Sequence, residues 1–121
     1  MKNTLVLGAS LNPSRVSHLA VHRLRSEGHN VVAVGGRAGH IADVEVLNDA
    51  ADIAKMDFHT ISLYLNAQRQ EQYYDLILNL KPKRLIFNPG AENHFLYSKA
   101  KEAGIEVENY CMMVQLSLQQ Y

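Results

Sequence analysis

The sequence predicts an α/β fold built on a parallel β-sheet. Short apolar runs recur along the chain, and the first two of them end at glycine. Uniformly apolar runs are typical of strands buried on both faces. Between the runs lie segments of about 10 to 15 residues whose apolar side chains repeat at helical spacing. Strands and helices that alternate in this way form parallel sheets with right-handed crossovers.

The first half of the chain shows this alternation clearly. Leu5–Leu7 is a uniformly apolar strand that ends at Gly8, and residues 14–27 have helical periodicity. The apolar face of this helix carries Val16, Leu19, Ala20 and Leu24, and the polar face carries Arg15, His18, His22 and Arg25. Gly28 is a typical residue for ending a helix, and the second strand, Val31–Val34, runs into a diglycine.

The second half is less regular at first. Residues 37–57 predict only a short extended piece at 44–46 and a helical turn near Asp52. Further strands are predicted at 60–65, 84–87 and 105–110, and further helices at 67–80, 96–103 and 112–118. We therefore expect a three-layer Rossmann-like domain with five parallel strands in the order 3-2-1-4-5. Its ligand would lie at the carboxyl ends of strands 1 and 4, where the winding direction reverses.

Size and composition limit the class of protein. The 121 residues predict a single domain, residues 1–121, and 47% hydrophobic residues can fill its core. A net charge of zero argues against a nucleic-acid partner. No apolar run reaches the roughly 18 residues of a membrane span, and no secretory leader is evident. With one cysteine, Cys111, no internal disulfide can form, so we expect a cytoplasmic location.

The turn after the first strand has the residues of an anion site. Gly8 and Ala9 allow a close approach of the backbone, and Ser10 offers a hydroxyl. Asn12 is a good capping residue, and Arg15 can reach back to a phosphate with its fork of donors. The start of the following helix also favours an anion. An ordinary capped helix with a surface arginine is the alternative interpretation.

The turn after the second strand narrows the class of nucleotide. A fold that selects NAD usually has a carboxylate here, bonded to the ribose 2′-hydroxyl. This chain has Gly35, a second glycine and then Arg37. A guanidinium suits a ribose that carries its own phosphate, as in NADP and coenzyme A. Arg37 could also be a solvated loop residue.

The fourth strand is followed by a turn with hydrogen-bonding residues. Gly90 permits a close approach of the backbone, and the amides of Asn88 and Asn93 can bond an amide or a phosphate. A simple Pro-Gly turn at Pro89, followed by a capped helix, is the alternative. In the predicted strand order, this turn faces the first turn across the point of reversal.

Three of these segments resemble the small stand-alone CoA-binding proteins. They are GASLNPSR at 8–15, the basic loop at Arg37 and NPGAEN at 88–93. The family consists of single Rossmann-like domains, similar to the CoA-binding domain of the succinyl-CoA synthetase α subunit. The resemblance covers essentially the whole chain. One departure is the diglycine before Arg37, where the family commonly has Asn-Pro.

The resemblance implies that coenzyme A or an acyl-CoA binds along the strand ends. Residues Gly8, Ala9, Ser10, Asn12 and Arg15 would cradle the pyrophosphate, and Gly35 and Arg37 would lie at a phosphate of the adenosine end. Leu65 and Asn66 would flank the adenine or the ribose, and Asn88, Pro89, Gly90 and Asn93 would line the pantetheine side. The oligomeric state stays open, a homodimer included.

Residues that could catalyse a reaction are few. His18 and His22 share a helix face, but the sequence offers no third metal ligand. Cys111 is a candidate reactive thiol or a small packed side chain, and His94 is more simply a surface residue. We therefore expect a binding module that is not catalytic alone: a carrier, a sensor or a ligase-associated subunit. The alternatives are a small NADP-binding oxidoreductase or redox sensor, and a protein-interaction subunit that has lost its ligand.

Overall fold

The computed structural model describes residues 2–121, which form one mixed sheet with helices on both faces. The strands are β1 (Thr4–Ala9), β2 (Val31–Gly35), β3 (Gly39–Ile41), β4 (Val44–Leu47), β5 (Thr60–Leu63), β6 (Arg84–Phe87) and β7 (Glu106–Asn109). The helices are α1 (Val16–Ser26), α2 (Ala67–Gln70), α3 (Tyr74–Leu80), α4 (His94–Glu102) and α5 (Met112–Ser117), with 3-10 turns at Ala51–Ile53 and Glu71–Tyr73. The helix predicted over 67–80 is thus interrupted by a 3-10 turn.

The predicted Rossmann-like class is confirmed, but the predicted five strands and their order are wrong. The sheet of residues 2–121 has seven strands in the order β3-β4-β2-β1-β5-β6-β7, and every pair except β3 with β4 is parallel. The extended piece predicted at 44–46 is the strand β4, which pairs in parallel with β2 and places Val34 opposite Leu47. Because β4 occupies the position outside β2, the strand predicted as third pairs with the other side of β1.

This order moves the point where the winding direction reverses. It lies between β1 and β5, because β2 and β4 extend to one side of β1 and β5, β6 and β7 to the other. The prediction that it lies between β1 and residues 84–87 is therefore wrong: β6 is one strand further out. The loop after β1 is next to the segment after β5, and the turn at 88–93 follows beyond it.

Each face of the sheet has its own apolar core. One core packs Leu5, Leu7, Ile61 and Phe87 with side chains of α3 and α4, and it includes Ile53 from the first 3-10 turn. The other core packs Val6, Ala33 and Val46 with side chains of α1 and α5. Within residues 2–121, no helix has the length and apolarity to span a bilayer.

The buried face of α1 agrees only in part with the predicted one, since Ala20 and Leu24 are buried as predicted but Val16 and Leu19 are not. Val16 and Leu19 are 51% and 47% exposed, whereas Ser17 and His18 are buried together with Ala20. The helix begins only at Val16, and Ser17 and His18 turn inward to bond the backbone of the preceding loop. Hydrogen bonds at the first turn therefore override the apolar pattern of the sequence.

Candidate ligand-binding site

The carboxyl ends of four neighbouring strands bring the predicted site residues to one edge of the sheet. These strands are β2, β1, β5 and β6, in that spatial order. The residues lie at the last positions of the strands and in the loops that follow, namely Gly8, Ala9, Ser10, Asn12, Arg15, Gly35, Arg37, Leu65, Asn66, Asn88, Pro89, Gly90 and Asn93. Their side chains differ greatly in whether they are free to contact a ligand.

The loop after β1 is held in place by its own side chains and by α1. Asn12 Oδ1 accepts hydrogen bonds from both the backbone N–H and the hydroxyl of Ser14, at 3.0 and 2.8 Å. Ser10 Oγ accepts the backbone N–H of Asn12 at 3.1 Å. The hydroxyl hydrogen of Ser10 remains available as a donor. The loop therefore presents a fixed backbone and one hydroxyl donor to the strand ends.

The start of α1 is suited to a negative charge. Its N-cap residue is Arg15, which has extended backbone angles, makes no side-chain capping bond and is followed by no acidic residue in the first turn. The first N–H groups of a helix have no partner within it and carry the positive end of the helix dipole. An anion placed here would meet free donors rather than a capping side chain.

Two exposed guanidinium groups flank this helix start along the sheet edge. Arg15 precedes α1, and Arg37 follows β2, the strand beside β1. Within residues 2–121, neither forms a salt bridge, whereas Arg23 pairs with Glu27 and Arg25 pairs with Asp43. Arg15 and Arg37 are therefore free to pair with an external anion.

Two of the site glycines are required by the packing of the strands themselves. Gly8 has a φ of +95°, and a Cβ added there would lie 3.0 Å from Leu65 Cγ. A Cβ at Gly35 would lie 2.1 Å from the carbonyl oxygen of Ala9. These glycines let β1 approach both of its neighbours closely. Close packing therefore explains Gly35, the last residue of β2. At Gly36, which follows it, an added Cβ would meet no atom within 4 Å.

The segment after β5 caps the next helix. Asn66 Oδ1 accepts the backbone N–H of Arg69 at 2.9 Å, which closes the start of α2. Leu65 is half-buried and packs against Gly8. Directly before it, burial raises the pKa of the Tyr64 phenol above its ordinary value. This segment presents the apolar Leu65 and the exposed Asn66 beside the loop after β1.

Asn88, in the turn after β6, has its amide fully committed inside the fold. It is 1% exposed, and its Nδ2 donates to Ser62 Oγ at 2.7 Å and to the Leu63 carbonyl at 3.0 Å. Its Oδ1 accepts the backbone N–H of Met112 at 2.9 Å. Asn88 thereby joins β5, β6 and the start of α5, and it offers a ligand no free amide hydrogen.

Asn93 belongs to a second amide network, together with a residue that sequence reasoning missed. Asn93 Nδ2 donates to Gln70 Oε1 at 2.9 Å and to Tyr74 Oη at 2.8 Å. Gln70, which is fully buried, donates to the carbonyl oxygens of Leu65 and Ala91. This network fixes the loops after β5 and β6 to each other. No local pattern reveals Gln70, because its partners lie up to 23 residues away along the chain.

Pro89 and Gly90 remain exposed at the tip of this turn. Gly90 has a φ of +93°, and its N–H donates to Glu92 Oε1 at 2.9 Å. Beyond the tip, a cavity of about 350 Å³ opens between the ends of β6 and β7. Mostly apolar atoms line it, and its lining residues are Phe87, Pro89, Glu92, Asn109, Tyr110, Cys111 and Val114. Of these, sequence reasoning singled out only Pro89 and Cys111.

A larger cavity, of about 510 Å³, lies apart from the predicted site, and none of the predicted site residues lines it. It is bounded by the first residues of β2 and β4 and by the 3-10 turn at Ala51–Ile53, including Val31, Val44 and Ile53. The predicted site does not extend into it. Within residues 2–121, no three histidine, cysteine, aspartate or glutamate side chains cluster as metal ligands. The rings of His18 and His22 lie 5.0 Å apart.

Comparisons with known proteins agree with this architecture. An uncharacterized protein of known crystal structure is 42% identical and has a TM-score of 0.92, with 100% of this chain and 98% of that chain covered. A protein from Thermus thermophilus (24% identity, 99% and 90% covered, TM-score 0.86) and a hypothetical protein from Pyrococcus horikoshii OT3 (22%, 95% and 81%, 0.84) share the fold. No curated protein matches the chain. A family model described as a CoA binding domain matches residues 2–117, and the chain therefore belongs to this CoA-binding family.

Proposed function

We propose that this protein binds coenzyme A along the carboxyl ends of β2, β1, β5 and β6. The observation that carries the proposal is the match of the family model to residues 2–117. The residues at this edge fit such a ligand, because the start of α1 has no acidic residue and no capping side chain. Arg15 and Arg37 supply positive charge that no acid of residues 2–121 neutralises in a salt bridge.

The pyrophosphate is proposed to lie at the start of α1. There the backbone of Gly8, Ala9 and Ser10 would come close to it, and Arg15 would pair with it through charge-assisted hydrogen bonds. Asn12 would contribute by shaping the loop, because its side-chain oxygen is already engaged by Ser14. In this proposal, backbone groups, the guanidinium of Arg15 and the hydroxyl of Ser10 would contact the pyrophosphate.

The two ends of the ligand would extend in opposite directions along the sheet edge. The adenosine end would lie toward β2, over Gly35. The phosphate on its ribose would lie beside Arg37, and Leu65 and Asn66 would flank the adenine or the ribose. The pantetheine arm would pass over β6 along Pro89 and Gly90. In this proposal Asn88 and Asn93 act by positioning the turn, since the structure commits their amides internally.

Binding, and not a reaction, is what we propose for the isolated chain. The description of the family names a ligand and not a reaction. The side chains that we place along this ligand would donate hydrogen bonds to it or pack against it. A carrier, a sensor or a ligase-associated module would all use the site in this way. An acyl-CoA would occupy it as CoA does.

Calorimetric titration of the purified protein with CoA, dephospho-CoA, NAD and NADP tests this proposal. We expect CoA to bind, dephospho-CoA to bind more weakly and NAD to give no heat. Heat from NADP with none from CoA would overturn the proposal in favour of an NADP-binding oxidoreductase or redox sensor.

A further inference from the structure

The cavity between the ends of β6 and β7 lies on the same edge of the sheet as the proposed CoA site. Phe87 and Pro89 bound it from the β6 side, and Tyr110, Cys111 and Val114 bound it from the β7 side. Its lining is mostly apolar, and Glu92 is its one charged residue among residues 2–121. The lining of the cavity is therefore suited to an uncharged, apolar group.

The spacing between β1 and β7 along the sheet edge matches the reach of a pantetheine arm. Three strand spacings separate β1 from β7, which is about 14 Å along the hydrogen-bonding direction of the sheet. A pantetheine arm contains two amides and has the chain length of about four residues, so it extends to about 14 Å at most. A thiol or thioester at the end of the arm would thus reach the mouth of the cavity.

Charge along the sheet edge gives the ligand a direction. The free guanidinium groups of Arg15 and Arg37 lie at β1 and β2. The apolar cavity lies at the opposite end, beyond β6. The phosphates would therefore face the arginines, and the end of the arm that carries an acyl group would face the cavity.

From this arrangement we infer that the cavity binds the acyl group of an acyl-CoA, and that it selects neutral aliphatic groups over acidic ones. The inference rests on the proposed function, because it requires CoA to lie along the strand ends. Burial of the acyl chain against Phe87 and Val114 would strengthen binding. No bond of the thioester is made or broken.

Glu92 supplies the selection against acidic acyl groups. The Gly90 N–H bonds Glu92 Oε1 at 2.9 Å, which holds the carboxylate at the cavity. The free carboxylate of a dicarboxylic acyl group would be repelled by the carboxylate of Glu92. The lining contains no lysine, arginine or histidine that could offset this repulsion. A neutral chain of similar length meets no such repulsion.

Titrations with CoA, acetyl-CoA, butyryl-CoA and succinyl-CoA test the inference. We expect the affinity to rise by about fourfold for each methylene that the cavity buries, so that butyryl-CoA binds more tightly than acetyl-CoA and CoA. Succinyl-CoA should bind at least several-fold more weakly than butyryl-CoA. Equal affinities for all four would overturn the inference.

Matched variants locate the effect. Val114→Trp fills the cavity from α5 and should remove the advantage of butyryl-CoA over CoA. Leu118→Trp is the control, because Leu118 is also exposed but lies one turn further along and does not line the cavity. Glu92→Gln keeps an acceptor for Gly90 and removes the charge, so it should narrow the gap between butyryl-CoA and succinyl-CoA.

The outcomes separate this inference from the proposed function. If none of the four ligands binds, the proposed function itself fails. If CoA binds but Val114→Trp leaves the acyl preference unchanged, the acyl group lies elsewhere and only this inference fails. A loss of CoA binding in Val114→Trp would place the pantetheine arm in the cavity, which also overturns the inference.

Discussion

His18 donates a hydrogen bond from Nδ1 to the carbonyl oxygen of Ser10, with 2.9 Å between the two atoms. The neighbouring Ser17 accepts the backbone N–H of Ser10 on its Oγ at 3.1 Å. Both backbone polar groups of Ser10 are therefore held by the first turn of α1. If this loop cradles the pyrophosphate as proposed, the contact would order the site before the ligand arrives and would reduce the entropy lost on binding.

Replacement of His18 tests this ordering. His18→Ala leaves the Ser10 carbonyl without its donor, and we expect the free energy of unfolding to fall by about 1–3 kcal/mol and the affinity for CoA to fall as well. His18→Asn, whose amide nitrogen can stand in for Nδ1, should recover most of both quantities. Urea unfolding and calorimetry measure them. Equal losses in the two variants would show that the hydrogen bond does not order the loop.

Gly35 and Gly36, at the end of β2, offer a matched pair of substitutions. Gly35→Ala would bring a Cβ to 2.1 Å from the Ala9 carbonyl oxygen, so β1 and β2 would have to separate. We expect a loss of about 1–3 kcal/mol or more in the free energy of unfolding. Gly36→Ala meets no atom within 4 Å and serves as the control. Similar stability of both variants in urea would contradict the close approach of the two strands.

Arg37 is expected to read the phosphate on the ribose. Arg37→Gln should weaken CoA binding by about 1.5–3 kcal/mol, the usual contribution of a hydrogen bond to a charged group. The same change should have little effect on dephospho-CoA, which lacks that phosphate. Lys101→Gln removes an equal charge far along α4 and should leave both affinities unchanged. If Arg37→Gln weakened both ligands equally, Arg37 would act through another phosphate or through general charge.

The histidines near the amino ends of the strands predict a loss of stability in mild acid. Burial lowers the pKa of His29, and the positive charges of Lys2 and Arg84 lower it further. Burial and Arg84 lower the pKa of His59 in the same sense. The unfolded chain, with histidine pKa values of about 6.5, therefore binds protons more readily than the folded chain. The free energy of unfolding is therefore unaffected by these histidines well above pH 6.5, and it falls as the pH drops from about 6.5 through their lower pKa values in the folded chain.

A variant at His29 can isolate the contribution of this histidine to the pH dependence of stability. Its Nδ1 accepts the backbone N–H of Lys2 at 3.0 Å, and an asparagine oxygen could replace that acceptor without titrating. We expect His29→Asn to reduce the dependence of the free energy of unfolding on pH between about 7 and 5, as measured by urea unfolding. His22→Asn, at an exposed histidine of α1, controls for the loss of a histidine as such. An unchanged slope in His29→Asn would refute the assignment.

The sequence predicted the fold class because strand and helix periodicities are local properties. It did not predict the sheet order, because β3 and β4 have only three and four residues. β4 depends on pairing with β2, and β3 depends on pairing with β4. A short segment with a weak local signal became a strand through its neighbours. That single strand displaced β5 to the other side of β1 and moved the point of reversal.

The sequence predicted where the residues of the candidate site lie, but not which of their side chains are free. The loops of the site follow strands, so their common location at the sheet edge could be predicted once the strands were recognised. Whether an amide is free could not be predicted, since Asn88 bonds residues 24 to 26 positions away. The apolar cavity was missed because Phe87 and Val114 read as core residues in sequence, and only the fold brings them to one opening.

The structure of the protein in crystals grown with excess CoA is the most direct test of the central claim. We predict the pyrophosphate at the start of α1 beside Arg15, the ribose phosphate beside Arg37, and the arm running over β6 toward Val114. CoA bound in the cavity at the start of β2 and β4, or absent from the strand ends at saturating concentration, would contradict this account.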